Sequence, residues 1–73
     1  MQEYYFTLRI PYQHCERFYV AGANSVILCA DSGQRVQLPS KNLRQWVDRN
    51  GLHGRFRLLI SDENKVISFE KVN

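Results

Sequence analysis

A stretch in the middle of the chain, residues 35–60, most constrains the fold. It begins with an alternating strand pattern that ends at Pro39, because proline cannot donate a hydrogen bond to a strand ladder. A helix pattern follows Ser40, whose hydroxyl suits the N-cap position. Gly51 ends the helix, and a second alternating pattern covers 55–61. The stretch therefore predicts a helix between two strands.

The predicted helix has a single apolar face. Leu43, Trp46 and Val47 fall at positions i, i+3 and i+4, which places them on one side of a helix. We expect Trp46 to lie at the centre of the core and to anchor this helix to a sheet. Its truncation to alanine would then cost about 3–5 kcal/mol.

The first third of the chain predicts a strand and a short helix. Residues 4–10 alternate, with Phe6, Leu8 and Ile10 on one side, and Pro11 ends the pattern. The next apolar residues have helical spacing and predict an amphipathic helix of about two turns. Residues 21–24, which include one glycine, should end it. The apolar residues of this helix are Tyr12, Cys15, Phe18 and Tyr19.

Two hairpins complete the prediction. The apolar run 25–30 predicts a central strand, the turn 31–34 contains a glycine, and 35–38 predicts the partner strand with Val36 and Leu38 inward. A connector at 52–54 precedes the second hairpin. Its strands are predicted at 55–61 and 66–72, with a loop at 62–64 between them. The inward pair of the last strand is predicted to be Ile67 and Phe69.

Together these patterns predict a single α+β domain that covers residues 1–73, in the order β-α-β-β-α-β-β. Short connections and hairpins favour a mostly antiparallel sheet that curls over two short helices and could close like a barrel. A chain of 73 residues buries only a thin core.

The expected compartment is the cytoplasm. The first residues lack the basic start and apolar run of a signal peptide, and no apolar run is long enough to span a membrane. We therefore expect Cys15 and Cys29 to be reduced and buried as small hydrophobic residues.

Positive charge is concentrated in residues 35–57, which contain six basic residues and one acidic residue, a net charge of +5 against +3 for the whole chain. Such a concentration attracts anionic partners, and phosphate contacts supply non-specific affinity for nucleic acid. An ordinary solvated face is the alternative. The candidate anion-binding or nucleic-acid-binding residues are Arg35, Lys41, Arg44, His53, Arg55 and Arg57.

Catalytic and metal-binding patterns are not evident. His14, Cys15, Cys29 and His53 are of the right types for zinc but lack the close paired spacing of zinc ligands. The chain shows neither a nucleophile elbow nor a phosphate-binding glycine loop. We expect a protein that is not an enzyme and that uses no cofactor.

Binding is then the expected function. Leu59 faces outward on a strand that could lie at a sheet edge, and a thin core would make association useful. Contact with a protein partner, or self-association, is the favoured hypothesis. Nucleic-acid binding through the basic segment is the alternative.

One further pattern extends over nearly the whole chain and consists of Tyr4–Phe6, Gly33, Arg35–Pro39, Leu43–Arg44, Trp46–Val47, Gly51 and His53–Leu58. With this pattern the chain resembles a family of short bacterial proteins, known chiefly as a domain of unknown function in gammaproteobacteria. The resemblance implies a cytoplasmic bacterial protein. It implies no activity, cofactor or functional residue.

Overall fold

The fold was examined in a computed structural model, which describes residues 1–20, 22 and 24–73. These residues form strands β1 (Gln2–Ile10), β2 (Ser25–Cys29), β3 (Arg35–Pro39), β4 (Leu52–Ile60) and β5 (Val66–Lys71), a 3₁₀ helix (Tyr12–Phe18) and the α-helical turn α1 (Lys41–Arg44).

The strands form two sheets. A three-stranded sheet has the order β1-β4-β5, and a two-stranded sheet consists of β2 and β3. Every pairing in the described part of the chain is antiparallel. The predicted mostly antiparallel α+β character is confirmed, but the strands form two separate sheets and do not close into a barrel.

The helical segments are shorter than predicted. The first is a 3₁₀ helix, in which residues three apart align. This spacing buries Cys15 and Phe18, whereas Tyr12 and Tyr19 of the same predicted apolar face are exposed. The second helical segment ends at Arg44 and continues as turns. The predicted stop at 21–24 is described only in part, because Ala21 and Ala23 lie outside the described residues; Gly22 has φ +86°.

The core lies between the two sheets and under α1. The aromatic rings of Phe56 and Phe69 stack with their centroids 5.1 Å apart, and Phe6 meets Phe69 edge-on at 6.2 Å. Trp46 is only partly buried and packs edge-on against Phe56 at the rim of this cluster. The prediction that Trp46 is the core centre is therefore wrong, because α1 ends before Trp46 and the indole reaches the edge of the sheet.

The β2–β3 hairpin forms as predicted, with Val36 and Leu38 buried. β2, however, is not a central strand. Its residues alternate, so that Ile27 is 58% exposed and Cys29 is exposed as well. The alternation could not be recognised in the apolar run 25–30, because the outward positions hold isoleucine and cysteine instead of polar residues.

β4 begins earlier than predicted and contains the residues assigned to a connector. Leu52 is fully buried, and His53 pairs with Arg9 across the ladder. Gly51 has φ +101° and lies so close to β1 that a Cβ atom there would be 2.1 Å from the Ile10 carbonyl oxygen. This close approach lets β4 join β1 directly after the 48–51 turn.

A register irregularity changes the face of one residue of β5. Leu59 pairs with Ser68, but the next pair is Ile60 with Val66. Ile67 is thus the extra residue of a bulge, and it is 54% exposed. Phe69 is inward as predicted, whereas the inward assignment of Ile67 is wrong.

Candidate functional site

Two of the predicted basic residues lie on the outer face of the three-stranded sheet, the face opposite the core. Arg55 and Arg57 alternate along β4 with buried Phe56 and Leu58, so their side chains leave the sheet on the solvent side. The residues of β1 and β4 that share this outer face are Glu3, Tyr5, Thr7, Arg9, His53, Arg55, Arg57 and Leu59.

Both arginines already have partners. Arg57 Nε donates to Glu3 Oε2 at 2.6 Å. Arg55 Nε lies 3.4 Å from Asp31 Oδ2, and its guanidinium lies 4.7 Å from the centre of the Tyr5 ring. The backbone N–H of Asp31 also donates to the Tyr5 carbonyl at 2.7 Å, so Arg55 helps to hold the β2–β3 turn against β1.

His53 lies at the start of β4, with its Nε2 atom 3.7 Å from Asp48 Oδ2. Asp48 also accepts a hydrogen bond from the Asn50 backbone N–H at 2.8 Å, which fixes the carboxylate within the 48–51 turn. His53 therefore faces a carboxylate as well as its cross-strand neighbour Arg9.

The remaining predicted residues lie on other elements. Lys41 and Arg44 are exposed on α1 and line a shallow pocket with Asn24 and Pro39. The Arg44 guanidinium lies 6.0 Å from the centre of the Tyr19 ring. Arg35 is exposed on β3 opposite Cys29, on the side of the hairpin that faces away from the core.

The six predicted residues therefore do not form one continuous surface but lie in separate groups. Arg55, Arg57 and His53 share the outer face, whereas Lys41 and Arg44 belong to α1, whose Leu43 is buried on the core side of the sheet. The sheet separates the two groups, so they cannot meet one flat anionic surface at once.

A different feature stands out at the edge of the three-stranded sheet. β4, predicted as a possible edge strand, is central, and Leu59 is half-buried on it. β5 pairs only with β4 among the described strands, so its other edge is open. The backbone N–H of Val72 donates to the Arg55 carbonyl and therefore points toward β4. Because main-chain groups alternate in direction along an antiparallel strand, those of Phe69 and Lys71 point away from β4, toward the open edge.

A groove of about 460 Å³ runs along this open edge, and we call it the edge groove. One wall consists of Asn42, Gln45 and Trp46, and the other consists of residues 67–71. The indole N–H of Trp46 donates to the Phe69 carbonyl at 3.2 Å. Asn42 Oδ1 is buried and has no hydrogen-bond partner within the described part of the chain.

Sequence patterns did not point to the edge groove. The residue types at 66–71 do not indicate that their strand is an edge strand, and simple alternation assigns Ile67 to the core. The one sequence signal is the polar character of Asn42 and Gln45 beside Trp46 on the predicted helix.

The two cysteines differ in environment. Cys29 is exposed, whereas Cys15 is buried with its Sγ atom 3.5 Å from the Pro11 carbonyl oxygen. Burial raises the pKa of the Cys15 thiol, although a backbone hydrogen bond from Leu52 and the charge of Arg17 act in the opposite direction. Cys15 is therefore a structural thiol rather than a reactive one.

No helix in the described ranges combines the length and the apolar character that crossing a membrane requires. No curated protein and no solved structure matches the chain. One family model does match it, and the match spans residues 2–72, nearly the whole chain. The chain therefore belongs to the family described as protein of unknown function DUF2835.

Proposed function

We propose that this protein is a non-enzymatic binding module that takes up an extended segment of a partner protein in the edge groove. The edge of β5 that pairs with no other described strand, and the groove beside it, carry the proposal. An open strand edge is a template for a further strand, whose main chain supplies affinity while alternate side chains supply specificity.

The walls of the edge groove suit a polypeptide. The main-chain groups of Lys71 offer hydrogen bonds to an incoming strand. Ile67 and Trp46 offer apolar contact, and Asn42 and Gln45 add polar side chains to the same groove.

A peptide fits this edge better than a second copy of the chain does. In a two-fold β5–β5 pairing, the strands would lie about 5 Å apart. A peptide would meet the one Trp46 indole that reaches the Phe69 carbonyl at this edge, whereas two copies of the chain would bring two indoles into the space between the strands. Self-association through β5 is therefore the disfavoured form of the contact.

Selection of linear peptides from a random display library, followed by an NMR titration of the enriched peptide, tests the proposal. Saturable shifts are expected for the amides of Phe69 and Lys71 and for the Asn42 side chain. Ile67→Lys should weaken binding by about tenfold or more, because it places a charge in the apolar part of the groove.

Ile27→Lys is the matched control, since Ile27 is an exposed isoleucine on a strand of the other sheet. It should leave peptide affinity unchanged. Equal affinities for the two variants, or shifts confined to other strands, would contradict the proposal. Sedimentation across a concentration series should show a monomer.

Nucleic-acid binding through the basic segment is the second candidate. Lys41 and Arg44 support it, because they line one pocket and no salt bridge recorded for the described residues includes them. For either activity we propose the cytoplasm of a bacterium as the compartment, in line with the resemblance noted in the sequence.

A further inference from the structure

On the outer face of the three-stranded sheet, the basic side chains of β4 are paired with acidic side chains along most of the strand. Arg57 reaches diagonally across the strand pair to Glu3, and Arg55 reaches diagonally to Tyr5 while pairing with Asp31. Such diagonal contacts follow from the twist of an antiparallel pair. Each arginine of β4 thus has an acidic neighbour.

This pairing of basic with acidic side chains does not extend to Arg9, at the end of β1. Arg9 lies directly opposite His53, and the salt bridges of residues 1–20, 22 and 24–73 do not include its guanidinium. The carboxylate of Asp48 faces the imidazole of His53, with Oδ2 at 3.7 Å from Nε2, and forms no salt bridge with Arg9. Arg9 is exposed.

Arg9 and His53 line a groove of about 600 Å³, which we call the end groove. Residues 7–11 form one side, and Asn50, His53 and Gly54 form the other. Its volume lies within the range of roughly 300–1,000 Å³ that small-molecule sites occupy. Ile10 and Pro11 supply apolar surface beside the polar residues.

We propose that the end groove binds a small organic phosphate, with Arg9 as the principal phosphate ligand. The planar guanidinium offers two parallel N–H donors that match a phosphate group. Asn50 and His53 bring an amide and an imidazole to the same groove, and a terminal phosphate has three acceptor oxygens to engage several donors. Ile10 and Pro11 would contact an apolar or aromatic body of the ligand.

This site is independent of the edge groove. It lies on β1 and at the start of β4, whereas the edge groove lies on β5 and α1. Arg9 also lies outside the basic segment 35–57, so the proposal does not restate the nucleic-acid hypothesis.

The experiment is an NMR titration of the full chain with phenyl phosphate, inorganic phosphate and benzoate in separate arms. Phenyl phosphate should cause saturable shifts at the amides of Arg9, Asn50, His53 and Gly54, with a dissociation constant in the millimolar range. Inorganic phosphate should bind the same residues more weakly, because it lacks the apolar body. Benzoate should bind more weakly than phenyl phosphate.

Arg9→Gln should weaken phenyl phosphate binding by about tenfold or more, since it removes the charge and the paired donors. Arg35→Gln, which removes the same charge from the β2–β3 hairpin, should have no effect. Shifts that do not saturate, an equal loss in both variants, or equally strong benzoate binding would each overturn the proposal.

Discussion

The indole N–H of Trp46 donates to the backbone carbonyl of Phe69 over 3.2 Å and thereby ties the segment after α1 to the open edge of β5. The same indole packs edge-on against Phe56, with centroids 5.8 Å apart. Trp46 therefore links the helical turn, the core and the edge groove from a position at the rim of the core.

Substitution of Trp46 should separate these contributions. Trp46→Phe removes the hydrogen bond and keeps most of the packing, and we expect a loss of about 1 kcal/mol. Trp46→Ala should cost about 2–3 kcal/mol, below the 3–5 kcal/mol typical of fully buried aromatic residues, because the side chain is only partly buried. Urea unfolding of both variants measures these differences. A much larger loss in Trp46→Ala would show that the side chain is as central as the sequence suggested.

Gly51→Ala should be severely destabilising, whereas Gly33→Ala should be mild. Both glycines have positive φ, +101° and +92°, so both substitutions introduce backbone strain of about 1–3 kcal/mol. Of the two, only Gly51 would bring the added Cβ against backbone, the Ile10 carbonyl oxygen at 2.1 Å, whereas no atom of the described residues lies within 4 Å of a Cβ at Gly33. Thermal unfolding of the two variants measures the contrast. Equal melting temperatures would show that β1 does not approach Gly51 this closely.

The two thiols should differ in reactivity. Cys29 is exposed and should react with an aromatic disulfide reagent in the native protein, whereas Cys15 should react only after denaturant is added. Because burial raises the pKa of Cys15, its stabilising contribution is present below the unfolded-state pKa and is lost as the pH rises through the folded-state pKa. The free energy of unfolding should therefore fall at alkaline pH. Cys15→Ala should reduce that decline, and Cys29→Ala provides the control.

Oligonucleotide binding should be absent at physiological salt. Arg55 and Arg57 are paired with acids, and the sheet separates them from Lys41 and Arg44. Any binding at low salt should show a salt dependence equivalent to about two phosphate contacts. Fluorescence anisotropy at two salt concentrations measures this dependence. Lys41→Gln with Arg44→Gln should abolish such binding, and Arg55→Gln with Arg57→Gln should leave it unchanged; the reverse pattern would show that the outer face of the sheet, and not α1, binds the oligonucleotide.

Local patterns predicted the strands and the hairpin well where polar and apolar residues alternate clearly. Val36 and Leu38 were assigned inward, and both are buried, because their neighbours Arg35 and Gln37 mark the opposite face. The same reasoning failed for Ile27 and Ile67, since a hydrophobic residue at an outward position looks like a core residue. A bulge between β4 and β5 displaces Ile67, and a bulge depends on the pairing of two distant strands.

The basic segment shows the same limit for the candidate site. The sequence gives the number of basic residues in the segment but does not show which carboxylates lie close to their side chains. Arg57 meets Glu3 and Arg55 meets Asp31 only because β4 pairs with β1 and the hairpin turn packs on β1. Arg9, which carries the proposed phosphate contact, faces outward with Tyr5 in the alternating pattern of β1, but it was not grouped with the basic residues because it lies outside the basic segment.

The sequence by itself determined a small α+β domain with mostly antiparallel strands and with turns at Gly33 and Gly51, because alternation, proline and glycine act locally. Only the tertiary structure decided that β4 is central, that β5 pairs along one edge only among the described strands, and that Asn42 Oδ1 is buried with no partner among the described residues. These features depend on which strands pair across the chain. Such pairing is set by long-range packing of residues such as Phe6, Phe56 and Phe69.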